Sequence, residues 1–165
     1  MARLTQVAII LAATLCFLSL VDVADSHAPK FIVEGKVYCE VCRANFTNRY
    51  SEPMAGAKVK LECKNEVTES VTYTLEGETN EKGVYTLTAE GDRGEDLCAV
   101  TLVKSSMADC AEIPDEKPAA EVTLTLNNGF HDEFRNANPL AFTRKEALPE
   151  CAELFKELEE AKKDE

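Results

Sequence analysis

The chain has 165 residues, seven of them cysteine and none tryptophan, and carries 18 basic against 30 acidic side chains for a net charge of −12. That length fits one domain, and that charge repels phosphate backbones and anionic membranes, which excludes nucleic acid as a partner. A basic protein surface is the partner such a charge favours.

The N-terminus reads as a secretory signal peptide, residues 1–26. Arg3 gives a basic start, residues 7–20 form an apolar run broken only by Thr14 and Ser19, and Ala24 and Ser26 sit at the −3 and −1 positions of a cleavage site. Cleavage after Ser26 is preferred to cleavage after Ala24, which would put Asp22 at −3. The run is too short for a membrane span, which needs about 20 apolar residues, and no later stretch is long enough. The final Lys-Lys-Asp-Glu is not a retention tetrapeptide, so the expected destination is the cell exterior. Cleavage removes Arg3, Asp22, Asp25 and Cys16, leaving 17 basic against 28 acidic side chains, a net charge of −11, and six cysteines.

Residues 27–158 form the expected domain. Period-two alternation dominates from Phe31 to Leu126, in runs at 31–38 (bent at Gly35), 58–63, 71–75, 84–88, 98–103 and 121–126. In the second run Val59, Leu61 and Cys63 share one face and Lys58, Lys60 and Glu62 the other. One apolar face per strand predicts antiparallel sheets around a single core. Residues 79–83 read as a hairpin whose Gly83 takes a positive φ, and residues 91–94 and 127–129 as further turns. The expected fold is all-β: a disulfide-stapled antiparallel β-sandwich or small barrel of six to seven strands with a C-terminal α-helix. The region up to Pro149 has no clear period, although Phe130, Phe134, Leu140, Phe142 and Leu148 need a place in the packing. From there, Cys151, Leu154, Phe155 and Leu158 recur at helical spacing and predict an amphipathic helix lying on the sheet. Residues 159–165 are a charged tail expected to fray.

Six cysteines in an exported chain read as three disulfides, with 15 possible pairings. If the first strand runs through Cys42, Cys39 and Cys42 are about 10 Å apart and point to opposite faces. A disulfide spans Cα atoms only to about 7 Å, so the two take different partners. Residues 43–53 read as a loop rather than the helix a redox Cys-x-x-Cys motif opens. Zinc lacks a second Cys-x-x-Cys pair, and the histidines are only His27 and His131. Glu90, Asp92, Glu95 and Asp96 crowd one turn without the calcium-loop spacing, and read as a solvated tip. His131, beside Asp132 and Glu133, reads as a solvated loop histidine. Neither a catalytic set, a metal site nor a cofactor is expected. Asn45-Phe46-Thr47 is the one usable N-glycosylation sequon, since Pro139 follows Asn138.

Several motifs together carry a resemblance. Val-Tyr-Cys-Glu-Val-Cys-Arg at residues 37–43, preceded by Gly35, resembles the signature of the major olive-pollen-allergen family. So do residues 56–63, the Gly83-x-Tyr85 run, residues 102–105 ahead of Cys110, Asn127-Asn128-Gly129, and residues 137–140 leading to Cys151. Glu40 departs from the usual aspartate, and the position of the sequon at Asn45 does not transfer between members. The resemblance implies pairing of first with fifth, second with sixth and third with fourth cysteine: Cys39–Cys110, Cys42–Cys151 and Cys63–Cys98.

The resemblance also implies a secreted, non-enzymatic plant glycoprotein of the apoplast, an allergen, acting in pollen hydration, germination or tube growth. An extracellular protein partner is implied, including a receptor-kinase ectodomain; the oligomeric state is left open. The loop around Asn45 and residues 127–138 are the candidate contact surfaces. Two alternatives stand beside this reading: a protease inhibitor presenting residues 107–118, and a cell-wall structural protein.

Overall fold

The computed structural model describes residues 28–114, 118–129 and 132–163. The expected signal peptide, His27, Phe130, His131 and the last two residues lie outside them. Among the described residues there are nine strands and one helix: β1 (Lys30–Glu40), β2 (Glu52–Pro53), β3 (Lys58–Asn65), β4 (Val71–Glu78), β5 (Val84–Glu90), β6 (Asp96–Lys104), β7 (Ala119–Val122), β8 (Phe134–Asn136), β9 (Leu140–Thr143) and α1 (Cys151–Ala161).

Two sheets stack face to face and do not close into a barrel. In one, β1 is central. It pairs antiparallel with β5 from Lys30/Glu90 to Lys36/Val84 and with β2 at Tyr38/Pro53. Along its other edge lie β8 and β9, both parallel to it. The second sheet is antiparallel in the order β4-β3-β6-β7. Alternation places Phe31, Val33 and Val37 of β1, Tyr85, Leu87 and Ala89 of β5, Val59 and Leu61 of β3, and Val100 and Leu102 of β6 in one shared core. Each large apolar side chain so buried contributes about 1.5–3 kcal/mol.

Five expectations change. The turn at residues 79–83 is not a hairpin, because β4 and β5 belong to different sheets. It carries the chain from one layer to the other, anchored by the buried Thr79 hydroxyl, which accepts from the Ala57 N–H and donates to the Met54 carbonyl. Gly83 does take a positive φ, 72°, and a Cβ there would lie 2.6 Å from the Val37 carbonyl. The true hairpin is at residues 66–70, where the Asn65 N–H donates to the Ser70 carbonyl.

Second, β1 is continuous through Gly35. That glycine lies opposite Tyr85, whose ring fills the space a Cβ would take at 2.2 Å from the phenol oxygen. Third, β7 ends at Val122, since Leu124 and Thr125 are drawn to the 91–95 turn instead of a neighbouring strand. Fourth, the aperiodic region supplies β8 and β9. Leu140 and Phe142 are buried there, while Phe134 stays exposed.

Fifth, only the first part of the expected apolar stripe of α1 is buried. The helix buries only Cys151 and Leu154, both in the shared core. Phe155 and Leu158 are each 38% exposed. The helix continues past Leu158 because Glu159, Glu160 and Ala161 are good helix formers.

Candidate functional site: two loop poles on a clamped sandwich

The loops gather at two poles, and different chemistry holds each. At the first, β1 ends because Glu40 bends the chain. Its carboxylate, 2% exposed, accepts from the Cys42 N–H at 3.0 Å and the Ala44 N–H at 2.9 Å. The backbone then turns through positive φ at Arg43 (54°) and Asn45 (60°). The strand therefore does not extend to Cys42. A turn, rather than the strand pleat, sends the two cysteines to different places.

Cys39 is bonded to Cys110 with Cα atoms 6.0 Å apart, and Cys42 to Cys151 at 5.3 Å. All four are buried. Cys63–Cys98 joins directly paired residues of β3 and β6 at 4.0 Å, toward the other pole. No free thiol remains among the described residues for redox chemistry.

Polar contacts complete the first pole. Arg43 Nη1 donates to Glu112 at 2.8 Å and to the Arg144 carbonyl at 2.6 Å. Arg144 pairs with Asp109. Glu112 and Thr143 exchange backbone hydrogen bonds. Arg49 forks onto Glu157 of α1 at 2.5 and 3.1 Å. That hydrogen-bonded pairing holds the Glu157 carboxyl below the usual carboxylate range and raises Arg49 further.

Asn45, Phe46 and Thr47 stand exposed on this loop, beside a shallow groove with Glu112, Ile113 and Pro114. The segment from Ser105 turns tightly to bury Cys110, with Ala108, Asp109 and Ala111 exposed around it. The Ser105 hydroxyl donates to the Cys110 carbonyl at 2.7 Å and accepts from the Met107 N–H at 3.0 Å.

At the opposite pole, the organiser is Arg135, 9% exposed and overlooked in the sequence reading. Its guanidinium donates to the carbonyls of Thr123 at 2.7 Å, Thr125 at 2.9 Å and Phe134 at 2.9 Å, and to that of Asp132, and lies over the Phe31 ring. The signal for it was faint: one arginine in an aperiodic loop.

The acidic turn is committed to loop bonds. Asp92 accepts from the Gly94 N–H and the Thr125 hydroxyl, Asp96 from the Thr72 hydroxyl, and Glu90 pairs with Lys30 at 3.2 Å. No three His, Cys, Asp or Glu side chains converge as a metal site among the described residues. Tyr85 is fully buried with no partner for its hydroxyl, and desolvation pushes its pKa up to about 12.

These features define a class: small disulfide-clamped β-sandwiches that hold loops at both ends and carry a short helix at one. Within it, the chain belongs to the family described as pollen protein Ole e 1 like, whose model matches residues 29–159. It is 46% identical over 153 residues to an Olee1-like protein of Betula pendula, covering 91% of this chain and 92% of that one. It is 43% identical to pollen allergen Che a 1 of Chenopodium album, covering 93% and 94%. It is also 43% identical to the anther-specific protein LAT52 of Solanum lycopersicum, covering 92% and 94%. The crystal structure of the major plantain pollen allergen Pla l 1 superposes with a TM-score of 0.66 at 42% identity, covering 73% of this chain and 98% of that one.

Proposed function

We propose that the protein is a secreted, non-enzymatic pollen or anther glycoprotein that acts by binding an extracellular protein partner, and that it is an allergen. In this reading the signal peptide leaves after Ser26, Asn45 carries an N-glycan, and the partner is a cell-surface receptor, such as a receptor-kinase ectodomain, acting in pollen hydration, germination or tube growth.

The observation that carries the reading is where the reactive groups go. Cys39, Cys42, Cys110 and Cys151 hold loops in place, and Glu40, Arg43 and Arg135 do the same work by hydrogen bonding. What faces solvent is loop surface on a rigid frame, which is how binding proteins present contacts. The names of the relatives from Chenopodium album and Solanum lycopersicum supply the pollen and anther setting.

The test is an affinity capture from pollen-tube and pistil membranes with oxidised, glycosylated protein. A membrane receptor ectodomain is the expected prey. Recovery of proteases alone, or of wall polysaccharide alone, would replace the reading with inhibition or wall anchorage. Peptide mass mapping with and without glycosidase tests Asn45, where an unmodified asparagine removes the glycan from the account.

A further inference from the structure

We propose that β4 is a docking edge, to which an extended basic segment of the partner protein adds as a further strand of the four-stranded sheet. The proposal rests on the binding reading above and deepens it by naming the surface and its chemistry.

Three observations converge on β4. First, it pairs with β3 on one side and with no strand on the other among the described residues. An open edge presents unpaired N–H and C=O groups, and proteins commonly blunt it with proline, lysine or short length. β4 has eight residues, none of them proline or lysine; the charges it does set along its edge, Glu76 and Glu78, are both acidic, so they oppose an acidic strand and admit a basic one.

Second, the core is unfinished along this edge. Val59, Leu61 and Cys63, the inward side chains of β3, are 0% exposed. Tyr73 and Leu75, their counterparts on β4, are only half-buried; Tyr73 also lies under the Arg93 guanidinium, 4.2 Å from its ring centre, which leaves Leu75 the more open of the two. A strand laid beside β4 at about 4.8 Å would cover Leu75 with its own inward apolar side chains.

Third, the charge carried by β4 itself is one-sided, although the exposed Lys58 of β3 stands directly across from Glu78. Glu76 and Glu78 lie on the outer face of β4, and Glu66 and Glu69 in the hairpin that leads into it. All four are exposed and have no ion-pair partner among the described residues. Lys60, directly across from Glu76, is turned to Glu62 at 2.6 Å instead. At the hairpin end Val67, Val71 and Leu97, which are 89%, 53% and 65% exposed, stand among Glu66 and Glu69.

The matching occupant is therefore an extended segment with lysine or arginine set against Glu76 and Glu78, and apolar residues on its inner face and against Val71. Strand addition supplies affinity through the main chain and selectivity through alternate side chains. A second copy of this chain fits less well, since self-pairing would set one acidic edge against another in a protein with a net charge of −12.

The probe is a capped peptide of alternating lysine and valine, matched to β4 in length and added at millimolar concentration to the oxidised protein. Hydrogen exchange of the Val71–Glu78 amides should slow about tenfold relative to an alternating glutamate–valine control. Glu76→Lys with Glu78→Lys should remove most of that protection and leave the melting midpoint unchanged, both positions being exposed. Equal protection by both peptides, protection elsewhere in the molecule, or protection that survives the double charge reversal would overturn the proposal. So would sedimentation showing that the protein alone dimerises through β4. Failed membrane capture with β4 protection intact would strike only the receptor reading, whereas successful capture that β4 reversal leaves untouched would strike only the edge.

Discussion

The two poles solve one problem by different means. Each must hold three loops in place at the end of a sandwich. The first is clamped covalently: Cys39–Cys110 and Cys42–Cys151 close sequence separations of 71 and 109 residues. The second is held by a buried arginine surrounded by carbonyls, with Cys63–Cys98 linking strands that are already paired. The difference teaches where cross-links are needed. The strand ladder registers the opposite pole closely, because β3, β4, β5 and β6 all turn there. The clamped pole carries α1, anchored through Cys151, Leu154 and the Arg49 fork, and a segment after β6 tied to the body by Cys110, the Glu112–Thr143 bridge and the Arg43–Glu112 and Arg144–Asp109 ion pairs.

Breaking the clamp should have the largest effect. Replacing Cys42 and Cys151 together by serine removes a long-range cross-link worth about 4 kcal/mol in the chain-entropy model. Calorimetry should show a lowered Tm, and exchange of the α1 amides should reach that of a free peptide while β3 and β6 remain protected. A helix that stays protected would mean that Leu154 and the Arg49 fork suffice, and the contrast between poles would fail. Arg135→Met should rank next, at about 3 kcal/mol, because it strands buried carbonyls. Its loosening should be confined to residues 123–136, and urea denaturation with residue-resolved exchange separates local from global loss.

The two poles were unequally legible in the sequence. The strands that build both were read from alternation, since Val59, Leu61 and Cys63 can only share a face in an extended chain. The disulfide partners came through the resemblance, because spacing required only that Cys39 and Cys42 part. Even that requirement held for a different reason from the one given: Glu40 turns the chain two residues before Cys42. β8 and β9 were illegible. Both are short, and both are placed by pairing with β1, just over a hundred residues earlier, a long-range fact that no local period records. Arg135 was missed because a lone arginine shows nothing of the carbonyls that the fold brings around it.

Between the poles, β1 gives a neutral reference. Gly35→Ala places a methyl group against the Tyr85 phenol and should cost about 2 kcal/mol by overpacking, without favouring either set of loops. Selective loosening of one pole would show that β1 transmits strain. Tyr85→Phe probes the same contact more gently. In the folded protein the phenol is pushed up to about 12, whereas the unfolded chain titrates near its ordinary value of about 10. The unfolded state therefore loses its proton first. Stability is whole below about pH 10 and falls as pH rises toward 12, by about 1 kcal/mol at pH 11. The phenylalanine variant should lack this slope and match or exceed the native protein at neutral pH, since it removes a buried hydroxyl without a partner. Identical alkaline slopes in chemical denaturation would show that the hydroxyl is solvated.

The smallest effect should come from one of the parts of the clamp that are not covalent. Glu157 and Arg49 form a good fork, but both are exposed to solvent and salt, which leaves such pairs little net worth. The pairing depresses the Glu157 carboxyl, so its contribution is present above the ordinary glutamate range and disappears as pH falls through the lowered value. Glu157→Gln should therefore leave the melting midpoint where it was, and speed amide exchange only in the last turn of α1, beyond the reach of Cys151. The same local loosening should follow in the native protein on acidification or at high salt. A midpoint shift comparable with that of the cysteine pair would place the anchoring of the helix in the fork, and would make the clamped pole electrostatic at heart, like its opposite.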